Sequence, residues 1–322
     1  SSLTLAFVSS AYNEEKNIDE LYHRCKEAFT QLQKEFANTK EIAFRFVIAD
    51  NGSNDGTLEV LKSLTHRDPG VRALSNHLNY GVEASGGNLI NIAREYDLVV
   101  LLCSDLQDPP ELAIDMAREL LLESRHDAVM AAKIDPPGNA ITRIARRAYY
   151  KALGYSSRMS AIPKGFHGFG CYRQEVIKEA TRYWDKTDLN VRQCLANASR
   201  SPLLIEYVQP RRIEGKSSYG VWGYWTEAIG SLIAGDATAS RLAATIGCTG
   251  LLVAGIFGVF ILANFLRGNS GYGGGVPTVM GLVLISLATQ MLMLGLLSRQ
   301  IEGLRMGGLR RKVMYRELDS AR

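Results

Sequence analysis

The sequence predicts an α/β fold: a mostly parallel sheet with helices on both faces, followed by two apolar C-terminal helices. Three observations carry this. Short apolar runs alternate with stretches whose apolar residues recur at helical spacing. Clusters of Asn, Asp, Gly and Ser follow those runs directly, where a parallel sheet has its carboxyl edge. Near the C-terminus, residues 243–266 and 276–298 contain no charged side chain.

In chain order, Leu3 to Ser9 is apolar and reads as a first strand. Ile18, Leu21, Tyr22, Cys25, Phe29, Leu32 and Phe36 recur at helical spacing, so 17–36 is a helix. Ile42 to Ala49 is a second strand, and Asp50-Asn51-Gly52-Ser53-Asn54-Asp55-Gly56-Thr57 a tight turn and helix N-cap. Val71 to Leu74 is a short third strand, and a loop with Asn79-Tyr80-Gly81 leads to a helix ending near Arg94. Leu98 to Leu102 is a buried parallel strand, Glu111 to Ser124 a helix, and Asp127 to Ala132 a fifth strand.

The stretch after the fourth strand reads LLCSDLQDPPE, residues 101–111. Pro109 and Pro110 stop ladder pairing and suit a first helical turn. Asp105 and Gln107 are oxygen ligands two residues apart, which suits a hard cation such as Mg²⁺ or Mn²⁺. Taken alone, the stretch reads equally as a solvated acidic turn before a helix.

With 322 residues the chain can build one large core and an appendage, and a net charge of +4 without a long basic run gives no sign of nucleic-acid binding. The five cysteines form no CxxC pair, which argues against zinc or a disulfide framework and for a reduced, cytosol-facing compartment. No charged segment followed by an apolar one opens the chain, so no signal peptide is expected.

Each uncharged run is long enough to cross a bilayer. The link between them, 267–275, carries one charge, while Arg299, Arg305, Arg310, Arg311, Lys312 and Arg316 follow the pair. The positive-inside rule then puts both ends on the cytoplasmic side. Gly250, Ala254 and Gly258 form a small-residue stripe that suits close helix approach, within the chain or between copies. Ile141 to Tyr155 reads as a basic amphipathic helix, with Arg143, Arg146, Arg147 and Lys151 largely off its apolar face, as expected at a membrane surface. Tyr219, Trp222, Tyr224 and Trp225 add interfacial aromatics. The expected organisation is an α/β core (1–135), a region with interfacial helices (136–242), two spans (243–266 and 276–298) and a basic cytoplasmic tail (299–322).

AYNEE at 11–15, ADNGSNDGT at 49–57, NYG at 79–81, SDLQDPPE at 104–111, RRIEGKSSY at 211–219 and the terminal hairpin occur in order. With them the chain resembles a family 2 glycosyltransferase of the GT-A fold, and within it the polyprenyl-phosphate glycosyltransferases, including dolichol-phosphate mannose synthases. The resemblance covers nearly the whole chain, and it implies that 1–135 is the nucleotide-sugar-binding core and 136–242 the acceptor-side region. It implies nucleotide binding by Tyr12, Asn13, Glu14, Asp50, Asn51, Gly52, Ser53 and Ser104, with Asp50 facing the base. Glu14 and Glu15 also read as acids favoured near a helix N-terminus. It implies Asp105 and Gln107 as ligands of Mg²⁺ or Mn²⁺, and an acceptor-phosphate grip by Lys133, Arg143, Arg146, Arg212 and Lys216.

Two departures from the family pattern stand out. Cys103 replaces the first Asp of the family's D-x-D, and a thiol is a soft ligand. The acceptor loop, Gly165 to Arg173, has no carboxylate where many relatives carry an Asp before a Phe. His167 is the substitute in reach, Asp188 a second acceptor-side acid, and a phosphate monoester with a second pKa near ~6 needs little base assistance.

The resulting expectation is an inverting hexosyltransferase. It would move a sugar from a UDP-sugar such as UDP-glucose to polyprenyl (undecaprenyl) phosphate, on the cytoplasmic face of a bacterial inner membrane, as a homo-oligomer. A processive polysaccharide synthase would carry more spans and a Q-x-x-R-W motif. A catalytically dead nucleotide-sugar-binding protein would show no sugar release. A lipid flippase fits least, since the spans hold no charge.

Overall fold

The computed structural model describes residues 2–123, 125–134, 162–187, 189–210, 238–267, 275–309 and 315–318. The chain divides into two compact units, 1–224 with 310–322, and 225–309.

The first unit is a mixed eight-stranded sheet of order β7-β5-β6-β4-β1-β2-β3-β8. The strands are β1 (Leu3–Ala11), β2 (Ile42–Asp50), β3 (Val71–Asn76), β4 (Leu98–Leu101), β5 (Ala128–Lys133), β6 (Phe166–Arg173), β7 (Pro202–Tyr207) and β8 (Tyr315–Leu318). The helices are α1 (Ile18–Phe36), α2 (Thr57–Arg67), α3 (Gly81–Ala93), α4 (Pro110–Leu122), α5 (Gln174–Lys186) and α6 (Val191–Ala198). Side chains alternate across the strands as a pleat requires. Leu5, Phe7, Phe46, Val100 and Val129 pack with α1, α2 and α4. Ala6, Val8, Val47, Val99 and Met130 pack with α3, α5 and α6 on the other face. The expected α/β sheet with helices on both faces is therefore present.

The sheet is less uniformly parallel than expected. β6 runs antiparallel to both β4 and β5, and β8 antiparallel to β3. The segment expected as an acceptor loop is strand β6. Gly168 and Gly170 interrupt its apolar alternation, and Gly170 lies where a Cβ would fall 2.6 Å from the Val129 carbonyl oxygen. Where the sequence suggested only a basic tail, Tyr315–Leu318 pairs with β3, from Ala73↔Leu318 to Asn76↔Tyr315.

The chain winds from β1 outward through β2 to β3, then returns to the other side of β1 for β4. The strand order reverses between β1 and β4, and open α/β sheets bind ligands in the crevice at such a point.

In the second unit, α7 (Thr238–Leu266) and α8 (Val276–Leu309) form an antiparallel pair. A Cβ on Gly250 would lie 3.0 Å from that of Ala288, and one on Gly281 4.0 Å from Phe257. Ala254 is buried as well. Gly250 thus serves close approach within the chain, while no described residue lies within 4 Å of a Cβ placed on Gly258. Ile246–Asn264 is long and apolar enough to cross a membrane, with mean hydropathy 2.4, and Val279–Gly295 is a shorter apolar stretch. The amphipathic stretch 141–155 and the aromatics 219–225 lie outside the described residues.

Arg72 joins β8 to the sheet: its Nε is 2.6 Å from Glu317 Oε1 and its Nη2 3.3 Å from Oε2. A chain ended at residue 314 should melt several degrees lower, since ~1 kcal/mol corresponds to about 2–4 °C in a domain of this size. Glu317→Ala, which breaks only a half-exposed ion pair, should cost about 0.2–1 kcal/mol. Melting followed by near-ultraviolet circular dichroism checks both, and an unchanged midpoint in the truncated chain would mean that β8 contributes nothing to stability.

Candidate active site

The loops after β1, β2 and β4 meet at the carboxyl edge, and side chain–backbone hydrogen bonds tie them together. Asn13, in the left-handed region at φ 57°, donates its N–H to Ser53 Oγ at 2.9 Å and accepts the Asn54 N–H at 2.9 Å. Asn tolerates that conformation because its short polar side chain bonds locally. The Glu14 N–H donates to Thr57 Oγ1 at 2.9 Å, and the buried Glu14 carboxylate accepts from the Asn17 amide. Glu15 Oε2 accepts the Gly56 N–H at 2.8 Å, just ahead of α2. Tyr12 is half-buried at the start of this loop.

Asp50 is buried at the end of β2, and its Oδ1 accepts the Ser53 N–H at 3.0 Å. Asn51 is the hub of a polar cluster. Its N–H donates to the Ala11 carbonyl at 2.8 Å, its Oδ1 accepts from Asn76 at 2.9 Å, and its Nδ2 donates to Asn79 Oδ1 at 3.0 Å. Gly52 has φ +72°, and a Cβ there would lie 2.8 Å from the backbone of Leu78 and Asn79. The two loops touch at that point, and only glycine lets them.

After β4, Ser104 Oγ donates to the Ser10 carbonyl at 2.9 Å, joining this loop to β1. Asp105 Oδ1 accepts the Gln107 N–H at 3.1 Å, and the Gln107 amide reaches the Pro210 carbonyl at 3.5 Å. Leu106 between them has φ 62°, a strained conformation for a leucine, and its side chain is buried in the core. Core burial of that side chain holds the loop in shape.

Among the described residues, no group of three or more His, Cys, Asp or Glu is placed to hold a metal ion. Asp105 and Gln107 supply two hard oxygen donors, a set that fits Mg²⁺ or Mn²⁺ when other ligands come from a bound diphosphate. Cys103 is exposed as a residue, while burial of its thiol, then the charges of Asp108 and Asp105, push that thiol above the ordinary range. It stays protonated near neutral pH and is a poor ligand for a hard cation.

His167 is the second residue of β6 and Lys133 the last of β5, where the Lys133 N–H donates to the Gly165 carbonyl at 2.9 Å. His167 Nε2 lies 2.9 Å from Asp108 Oδ1, which also accepts the Tyr207 hydroxyl at 2.9 Å. Asp108 is wholly buried. Burial pushes its pKa up, but the hydrogen bond and charge of His167, the Cys103 N–H and the Tyr207 hydroxyl outweigh it and hold the carboxyl below its usual range. Burial and the Asp108 charge push the Tyr207 phenol up. The sequence reading gave Asp108 and Tyr207 no role: Tyr207 ends a strand it did not find, and nothing local marks Asp108 as buried. Asp188, Arg143, Arg146, Arg212 and Lys216 lie outside the described residues.

Residues 7–181 match the family model described as glycosyl transferase family 2. The chain belongs to that family. This glycosyltransferase is 26% identical over 217 residues to an uncharacterized glycosyltransferase of Bacillus subtilis, a match covering 66% of this chain and 62% of that protein. It is 23% identical to a prophage bactoprenol glucosyl transferase homolog of Escherichia coli, over 93% of this chain and 94% of the relative. It is 26% identical to an undecaprenyl-phosphate 4-deoxy-4-formamido-L-arabinose transferase of Pseudomonas aeruginosa, over 92% and 84%.

Two glycines of the crevice separate strain from collision. Gly52 and Gly81 both have positive φ, +72° and +82°, but the space beside Gly81 is open. Gly81→Ala should cost about 1–2 kcal/mol from backbone strain alone. Gly52→Ala carries that strain plus the collision with Leu78 and Asn79, so chemical denaturation should show it to be the more destabilised variant. Equal losses would mean that the two loops do not need to approach so closely.

Proposed function

We propose that this glycosyltransferase moves a hexose from a nucleoside-diphosphate sugar, a UDP-sugar such as UDP-glucose, to undecaprenyl phosphate. The observation that carries the reading is the carboxyl edge where the loops after β1, β2 and β4 meet, with its buried Asp50, in the same chain as the apolar helix Ile246–Asn264. One partner is water-soluble and needs a sheet-edge crevice, and the other is a lipid and needs a membrane. The two relatives that align over most of the chain are named for bactoprenol and for undecaprenyl phosphate, and for two different sugars.

Asp50, Asn51, Gly52 and Ser53 would hold the nucleoside, with Tyr12, Asn13, Glu14 and Ser104 along the diphosphate path. Asp105 and Gln107 would hold Mg²⁺ or Mn²⁺, which when bound neutralises charge on the leaving diphosphate. Lys133, with Arg143, Arg146, Arg212 and Lys216, would balance the acceptor phosphate and lower its repulsion from the donor. His167 would take the last proton of an acceptor still in its monoanionic form, and Asp188 is a second acid on that side. An acceptor phosphate oxygen then bonds to the anomeric carbon as that carbon's bond to the diphosphate oxygen breaks, inverting the centre.

The helix pair would form a membrane hairpin with both ends cytoplasmic. Support comes from β8: the chain leaves the first unit before α7 and rejoins its sheet after α8. The open surface beside Gly258 is available for a homo-oligomer contact.

Incubation with undecaprenyl phosphate and a panel of UDP- and GDP-sugars, followed by mass spectrometry of the lipid, should yield undecaprenyl-phosphate-hexose from one donor. No lipid product from any of them would sink the reading. Asp105→Asn should lower the rate by orders of magnitude, because a metal at the leaving group supplies several kcal/mol. Cys103→Asp adds a hard oxygen and should lower the metal concentration needed for half-maximal activity. A parent enzyme fully active in excess chelator would remove Asp105 and Gln107 from the metal role.

A further inference from the structure

Three side chains from separate parts of the sheet converge behind the β4 loop, and the reaction just proposed uses one of them. Asp108 has no exposed side-chain surface. Its Oδ2 accepts the Cys103 N–H at 2.9 Å, and its Oδ1 accepts the Tyr207 hydroxyl at 2.9 Å and faces His167 Nε2 at 2.9 Å. The Tyr207 hydroxyl lies 3.4 Å from the same ring nitrogen. The other ring nitrogen, His167 Nδ1, is enclosed and has no hydrogen-bond partner among the described residues, although 26% of the side chain's surface remains exposed.

The chemistry of these groups sets where the ring hydrogen sits. A neutral imidazole has one N–H, and a carboxylate already receiving a backbone N–H and a phenol O–H is an acceptor. The nitrogen facing it must carry the hydrogen, which leaves the lone pair on Nδ1. A buried polar atom without a partner costs about 1–3 kcal/mol. Native structures keep few such atoms, and one beside a reaction centre fits a group whose partner arrives with the substrate.

We propose that Asp108 is a positioning residue for the transfer and Tyr207 its support: together they hold His167 as the Nε2–H tautomer, so that Nδ1 is the nitrogen that takes the acceptor's proton. This rests on the function proposed above for its chemistry, but the tautomer is a property of the protein alone. A purely structural Asp108 would brace the loop through Cys103 and leave the ring hydrogen unassigned.

The test uses full-length protein in detergent, labelled with ¹⁵N-histidine, at mildly alkaline pH, with His167→Gln to assign the ring signals. The parent should show His167 with its hydrogen on Nε2. Asp108→Asn should give a mixture of tautomers and, in assays near pH ~6 where much of the acceptor keeps its last proton, lower kcat by about 10²-fold, in the range for loss of a positioned base; the loss should shrink at mildly alkaline pH, where the acceptor is dianionic. The assay uses undecaprenyl phosphate and the sugar nucleotide found active in the panel, whose KM should be unchanged. Tyr207→Phe should keep the tautomer and lose less activity.

The proposal is overturned if the parent carries the hydrogen on Nδ1. It is overturned too if Asp108→Asn keeps the parental kcat, or loses activity with its tautomer unchanged. The parental spectrum decides the tautomer even if Asp108→Asn fails to fold, and Tyr207→Phe then reports on the support. A parent with the expected tautomer but no lipid product would overturn the proposed function and leave the ring assignment standing.

Discussion

Burying a carboxylate costs several kcal/mol unless donors surround it, and Asp108 is buried completely. Its three donors come from different places: Cys103 in its own loop, His167 on β6 and Tyr207 at the end of β7. Satisfying one side chain therefore requires that the β4 loop and two further strands be correctly placed together. The loop's other braces are the Ser104 hydrogen bond to the Ser10 carbonyl and the buried Leu106 side chain. Pro109 and Pro110 have no N–H to give, and Leu106 sits in a conformation a leucine resists. Losing one donor would leave a charge in a low-dielectric environment, so the arrangement tolerates little variation.

The loops after β1 and β2 are built on different terms. Asn13, Ser53, Thr57, Asn51 and Asn79 join their loops through many neutral hydrogen bonds, several of them exposed. Each such bond is worth roughly 1 kcal/mol net. Loops held this way keep their shape on average and can still adjust when a ligand enters and leaves. The two halves of the site thus differ in stiffness: a buried ionic knot beside the β4 loop, and a lattice of weak bonds after β1 and β2.

Much of this was legible in the sequence, and the reasons are specific. β1, α1 and β2 announce themselves because large apolar residues fill one face of each, Leu3, Leu5 and Phe7 on β1 and Ile42, Phe44, Phe46 and Ile48 on β2. The Asx- and Gly-rich turn at Asp50 to Thr57 marks its own geometry, since positive φ and capping are local properties. β6 was hidden by its glycines, and β7 because only its last residue, Tyr207, is buried. β8 reads as charged tail, because an edge strand needs no apolar pattern. The contact of Asp108 with His167 and Tyr207 joins residues 59 and 99 positions apart, which no local pattern encodes.

β8 also bears on the order in which the protein is made. Its Glu317 meets Arg72 across 245 positions of chain. At about 5–20 residues per second, β3 leaves the ribosome roughly ten to fifty seconds before its neighbour exists. For that interval the sheet has an open edge, which invites pairing with other chains. The two apolar helices are synthesised within the same window, between the strand that waits and the strand that completes it. Synthesis of those helices therefore precedes completion of the domain, and a nascent chain that stalls before α8 ends carries both an uncovered apolar surface and an unfinished sheet.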